Sequence, residues 1–271
     1  MHDVRSTPSI VVGIDGSPAA SDAAVWAAGE AASKNVPLKL VYVIHAAGHP
    51  ESDGAATAAR SALAGARRAV EAAAPSAVLP VPLRIETEVL HGNPLATLID
   101  LSRSAALVSV GSTGVAHTCH RAGSTAAALA GSAGCPVAVI HNTDVGQRAG
   151  LIVAEVDASP DNSAVLGWAM AEAKLRGATL RVLTPARPGG TATGSPARAR
   201  LVRLIDHWAQ RYPDVEVDLA TVPGTDYLAD YLADNVESIQ LFVSGTRDRR
   251  SLGWADNTGG CSVLTVGGVG L

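Results

Sequence analysis

A repeat inside the chain constrains its fold more than any other feature. Ile10–Pro18 reads IVVGIDGSP, and Ile152–Pro160 reads IVAEVDASP, 142 residues later. The same offset pairs Trp26 with Trp168, Glu30 with Glu172, Ala31 with Ala173 and Leu38 with Leu180. Further on the register shifts but the pattern persists. VLHGNPLATLIDL (Val89–Leu101) resembles TVPGTDYLADYLA (Thr221–Ala233), LVSVG (Leu107–Gly111) resembles LFVSG (Leu241–Gly245), and CPVAVI (Cys135–Ile140) resembles CSVLTV (Cys261–Val266). A period of half the 271-residue chain means a tandem duplication of one domain rather than a short-repeat array. The expected domains are 1–142 and 151–271, joined by the polar segment HNTDVGQRAG (His141–Gly150).

Each half alternates strand and helix signals. Ile10–Ile14 is a β-branched run suited to a strand buried on both faces. Ser17 and Pro18 read as an N-cap and a first-turn proline, and the helix should stop near Asn35, before Pro37. Leu38–Val43 is the second strand, Ala46–Ala56 a loop, Ala59–Ala74 a helix and Leu83–Val89 the third strand. Pro94–Ser104 is helical, Ala106–Val110 a strand, Ser124–Ser132 helical and Pro136–Ile140 the fifth strand. This predicts an α/β, Rossmann-like fold: two tandem five-stranded parallel sheets with helices on both faces. Ligands of such sheets bind at the carboxyl ends of strands, near the switch in strand order, so the residues after strands one, two and four matter most.

Composition narrows the function. Twenty-one Lys and Arg against 25 Asp and Glu give a net charge of −4, with no basic excess for nucleic acid or an acidic membrane. Four Trp, four Tyr and one Phe are too few for a base-stacking platform. Three cysteines (Cys119, Cys135, Cys261) do not make a disulfide framework, and a reducing compartment is the simpler reading. No apolar run reaches about 18 residues, and MHDVRSTPS lacks the apolar core of a signal peptide. The cytoplasm is the expected location, with no membrane partner.

Gly111–Thr125, reading GSTGVAHTCHRAGST, is the segment richest in possible chemistry. It follows the fourth strand and opens a helix. Its glycines allow backbone N–H groups close to an anion, a helix start at Ser124 adds donors, and Ser124 and Thr125 add hydroxyls. A phosphate fits; so does an ordinary glycine-rich loop with a Ser/Thr cap. Asp15 ends the first strand, where its carboxylate suits a ribose or an amine, or else closes a turn or caps the next helix. No GxxxxGK[ST] run is present and no GxGxxG follows the first strand, which disfavours the P-loop and dinucleotide readings. His117-Thr118-Cys119-His120 offers soft ligands for a metal or redox site without a second ligand pair nearby. His120 and Arg121 also suit phosphate oxygens. No Ser/His/Asp arrangement or GxSxG elbow appears, so no catalytic residue is assigned. Cys135 and Cys261 read as buried small side chains, Trp26 and Trp168 as helix-to-sheet packing, and Arg60, Arg67 and Arg68 as a solvated helix face.

Taken in order, VVGIDGSP, WAAGEA, HGNP, LVSVGSTG, GST and CPVAVI resemble the universal stress protein family, nearly throughout the first half and more loosely in the second. The resemblance implies strand order 3-2-1-4-5. It also implies, for the branch that binds ATP, a G-x₂-G-x₉-G-[S/T] loop, an aspartate ending the first strand and backbone groups ending the second. Carried onto this chain, it places Gly111, Gly114, Gly123, Ser124 and Thr125 around phosphates, Asp15 at the ribose or adenine, and the Val43 backbone at the adenine. ATP with Mg²⁺ is the implied cofactor. Pairing of the fifth strands, Pro136–Ile140 and Ser262–Val266, is implied as an internal pseudo-dimer, with association of two chains as a further step.

The chain departs from this pattern in two places. Only eight residues, Val115–Ala122, lie between Gly114 and Gly123. In the second half, Gly245 to Cys261 spans 16 positions where Gly111 to Cys135 spans 24, so the phosphate loop end and much of the fourth helix are missing. Pro185 replaces Val43 there, while Asp157 persists. The expected function is an ATP-binding stress regulator that acts through nucleotide-dependent conformation and an unnamed protein partner, with at most slow ATPase activity. The alternatives are an interaction module without nucleotide and a metal or redox sensor built on His117–His120.

Overall fold

A computed structural model describes residues 8–45, 53–73, 82–112, 124–141, 150–156, 162–185, 196–222, 225–235, 237–245 and 261–267. The chain divides into two units, Met1–Thr143 and Asp144–Leu271.

In the first unit, β1 (Ile10–Ile14) is a β-branched run, almost wholly buried. It leads into α1 (Pro18–Lys34) through a cap that the residues dictate. The Ser17 hydroxyl accepts the Ala20 N–H at 3.1 Å, and Pro18 fills a first-turn position that needs no donor. At the other end Asn35 adopts the left-handed conformation (φ 52°) and stops the helix, as expected. The face of α1 turned inward is nearly all alanine, which lets the helix lie close to the sheet. Glu30 is fully buried on that helix, and Lys34 pairs with it at 2.7 Å one turn on. Its repeat partner Glu172 is equally buried and pairs with Arg176. Each carboxylate is thus compensated by a cation from its own helix.

β2 (Leu38–Ile44) follows, then α2 (Asp53–Ala73), β3 (Ile85–His91), α3 (Pro94–Ser102), β4 (Leu107–Gly111), α4 (Ser124–Ala130) and β5 (Val137–Ile140). Most element boundaries fall within two residues of the sequence reading, and two of the differences have a clear cause. The helix expected from Ala59 starts at Asp53, because Ala55 and Ala56 are strong helix formers that carry Gly54 in the first turn. The third strand lies two residues later than expected, because its register follows β2 from Leu38↔Ile85 to Ile44↔His91. Buried Ala59, Leu63, Ala66 and Val70 form the inner stripe of α2, while Arg60, Arg67 and Arg68 are exposed, with Arg67 2.7 Å from Glu71.

All strand pairs within this unit are parallel, in the order β3-β2-β1-β4-β5. The second unit contains β6 (Leu151–Glu155), α5 (Asn162–Arg176), β7 (Thr179–Pro185), α6 (Pro196–Arg211), β8 (Val217–Val222), α7 (Thr225–Asp234), β9 (Ile239–Gly245) and β10 (Ser262–Val266). Its order, β8-β7-β6-β9-β10, is the same path. The duplication holds at the level of pairing: Gly13 sits opposite Val41 in the first unit, and Glu155 opposite Leu183 in the second, both shifted by 142. No helix among the described residues is long and apolar enough to cross a membrane.

Candidate functional site

The switch in strand order in the first unit falls between β1 and β4. A cavity of about 250 Å³ opens there, at the carboxyl ends of β1, β2 and β4. Its floor is apolar: Gly13, Val41, Val43, Leu98 and Val110. Asp15, Ser17 and Thr125 bring polar groups to it, and Gly111 closes the β4 side.

Asp15 stands exposed just past β1. One of its carboxylate oxygens accepts the Ser17 N–H at 2.9 Å, an Asx turn around Gly16, whose φ of 88° is left-handed and favours glycine. Asp15 therefore shapes the strand-to-helix turn.

Val43 presents a specific backbone group. Ile44 turns its carbonyl to β3, where Gly92 N–H donates to it at 3.0 Å. Successive residues of a strand aim their backbone groups at opposite neighbours, so Val43 faces β1. The β1–β2 ladder ends at Ile14↔Tyr42, a pairing that takes the Val43 N–H onto Ile14. The Val43 carbonyl lies one step past the end of β1, level with the Asp15 turn, as an acceptor at the cavity.

Gly111 has a packing role that its motif did not reveal. A Cβ there would lie 2.6 Å from the Ala19 carbonyl carbon and 2.8 Å from both Ala19 O and Ala20 N. The end of β4 thus touches the first turn of α1 backbone to backbone. Thr125, half-buried in α4, lines the cavity, and Ser124 is the first residue of that helix. Gly114, Gly123, the His117–His120 cluster and Arg121 lie outside the described residues, as do Asp157 and the shortened segment 246–260. Among the described residues no group of three His, Cys, Asp or Glu could hold a metal.

The sequence reading missed the apolar floor. Gly13 was the available signal, since glycine inside a buried strand marks a close approach. A Cβ at Gly13 would lie 3.2 Å from Leu98 Cδ1 and 3.3 Å from Val110 Cγ1. Leu98 and Val110 themselves look like ordinary core residues in the sequence.

Cys135 and Cys261 are buried, as expected. Burial pushes the Cys135 thiol up to about 11 against a smaller opposing effect of a hydrogen bond with the Val108 backbone. At neutral pH only about 10⁻⁴ of it is thiolate. Iodoacetamide at pH 7 should leave Cys135 unmodified in the native chain and alkylate it in urea, read by peptide mass spectrometry. Rapid native labelling would contradict the packing described.

Residues 7–141 match the model of the universal stress protein family. Universal stress protein Rv3134c of Mycobacterium tuberculosis is 44% identical over 275 residues, covering 98% of each chain. Rv2028c of the same species, also named a universal stress protein, is 42% identical over 283 residues, covering 98% of this chain and 99% of its own. The crystal structure of a universal stress protein from Archaeoglobus fulgidus superposes with a TM-score of 0.72, covering 97% of both chains at 16% identity, a likeness of fold alone. Repeat, strand order, cleft and near-full-length relatives agree: the chain belongs to the universal stress protein family.

Proposed function

We propose that the first unit binds ATP, with Mg²⁺ on its phosphates, and that the chain regulates a stress response through nucleotide-dependent conformation and a protein partner. The observation that carries this reading is the pairing of an apolar floor with two acceptors at its edge, the Val43 carbonyl and the Asp15 carboxylate. A carbonyl acceptor beside an apolar slot suits the exocyclic amine and flat face of adenine. A carboxylate suits ribose hydroxyls.

The cavity, about 250 Å³, is smaller than the ~300–1,000 Å³ usual for drug-sized ligands. It suits a nucleoside, with the phosphates extending past Gly111 and Thr125. Ser124, Thr125, Gly114 and Gly123 are the phosphate partners in this reading. Nucleotide bound there would bias the conformation of that loop, and a partner that reads the loop would sense occupancy.

Calorimetric titration of the full chain with MgATP, together with mass spectrometry of any ligand released from the purified protein, tests the reading. About one equivalent per chain is expected. No heat and no released nucleotide would favour the alternative, an interaction module that has lost its ligand.

A further inference from the structure

We infer that residue 13 and its counterpart, residue 155, decide which half of the chain takes a nucleotide: glycine keeps the first cleft open, and glutamate closes the second. The inference rests on the nucleotide reading of the first unit and adds the residue that restricts binding to it.

The two positions coincide in the sheet. Gly13 pairs with Val41 across the β1–β2 ladder, and Glu155 with Leu183 across β6–β7. On the other side, Val12 pairs with Ser109 and Ala154 with Val243, so Gly13 adjoins Val110 and Glu155 adjoins Ser244. In the first unit the place a side chain would take at residue 13 is bounded by Leu98 and Val110 at 3.2 and 3.3 Å, and both line the cavity. Even a methyl group crowds that floor. The second unit puts a half-buried glutamate there, and fully buried Ser244 where Val110 stands. A glutamate at this register position adds a long side chain where the first unit has none.

The second unit nevertheless keeps the acceptor that β2 offers in the first. Pro185 takes the place of Val43 at the end of β7, past the last β6 pairing at Glu155↔Leu183. Proline lacks an N–H but retains its carbonyl. Residue 155 is therefore, with Ser244 in place of Val110, a difference at the nucleoside end that is separate from the loop shortening at the phosphate end.

The test uses the full chain in three forms, wild type, Gly13→Glu and Glu155→Gly, titrated with MgATP and with adenosine, with circular dichroism melts as the fold check. The wild type should bind one equivalent of MgATP. Gly13→Glu should lose at least about tenfold in affinity. Glu155→Gly relieves crowding rather than adding it, so it tests the inference even if Gly13→Glu unfolds. It should raise adenosine stoichiometry from one to two while MgATP stays near one, because adenosine does not need the missing phosphate loop. Two equivalents of MgATP on the wild type, wild-type affinity in a folded Gly13→Glu, or a single adenosine site in Glu155→Gly would overturn this inference and leave the first-unit reading standing. A wild type that binds no nucleotide would overturn both.

Discussion

Gly111→Ala lowers the stability of the chain by about 2–3 kcal/mol, seen as a lower urea midpoint at unchanged slope. The added methyl group would lie 2.6 Å from the Ala19 carbonyl carbon and 2.8 Å from Ala20 N. These are backbone atoms, so no rotamer change relieves the clash, and α1 must move off β4. Moving it strains the Ser17 cap, whose 3.1 Å bond to Ala20 N is worth about 1 kcal/mol by itself. It also opens contacts along an alanine face built for close approach. Gly29→Ala is the matched control. Gly29 sits exposed in the middle of the same helix, with nothing within 4 Å of its missing Cβ. Alanine there should stabilise by about 0.5–1 kcal/mol through backbone entropy. The same chemical change then has opposite signs, because one site is a contact and the other is open. Equal midpoints for the wild type and Gly111→Ala would refute the close approach of β4 to α1.

That contrast shows what a sequence of this kind makes legible. Local signals carried the elements: Ser17 and Pro18 opened α1 and Asn35 closed it because caps and turns depend on neighbouring residues. The repeat carried the duplication, since two runs of the same pattern can only build the same path through the sheet. Register and close approach are tertiary, and the sequence hid them. The β3 boundary moved because β2 sets its register, which no residue of β3 announces. Gly111 reads as part of a phosphate motif, and its contact with Ala19 depends on where the helix lands. Leu98 and Val110 read as core because the floor of an apolar cleft is made of core residues left uncovered on one side.

Asp15 separates shape from charge, and its variants should divide accordingly. Asp15→Asn keeps a side-chain oxygen that can accept the Ser17 N–H, the bond that measures 2.9 Å in the native chain. The turn around Gly16 should survive, and stability should change by less than about 0.5 kcal/mol. Asp15→Ala removes that acceptor and loosens the turn, at a cost of about 1 kcal/mol. Affinity for MgATP should follow a different order of magnitude. A carboxylate accepting from ribose hydroxyls makes charge-assisted bonds worth about 1.5–3 kcal/mol, so its removal in Asp15→Ala weakens binding by roughly 10- to 150-fold. Asp15→Asn retains one acceptor without the charge and should fall between alanine and wild type. Calorimetric titration of the three proteins, alongside their urea midpoints, reads both effects on the same samples. If Asp15→Asn binds MgATP as the wild type does, the residue serves only the turn, and the ribose contact must be sought elsewhere on the cleft edge. If binding falls in both variants while the asparagine chain keeps its midpoint, the carboxylate charge itself recognises the ligand.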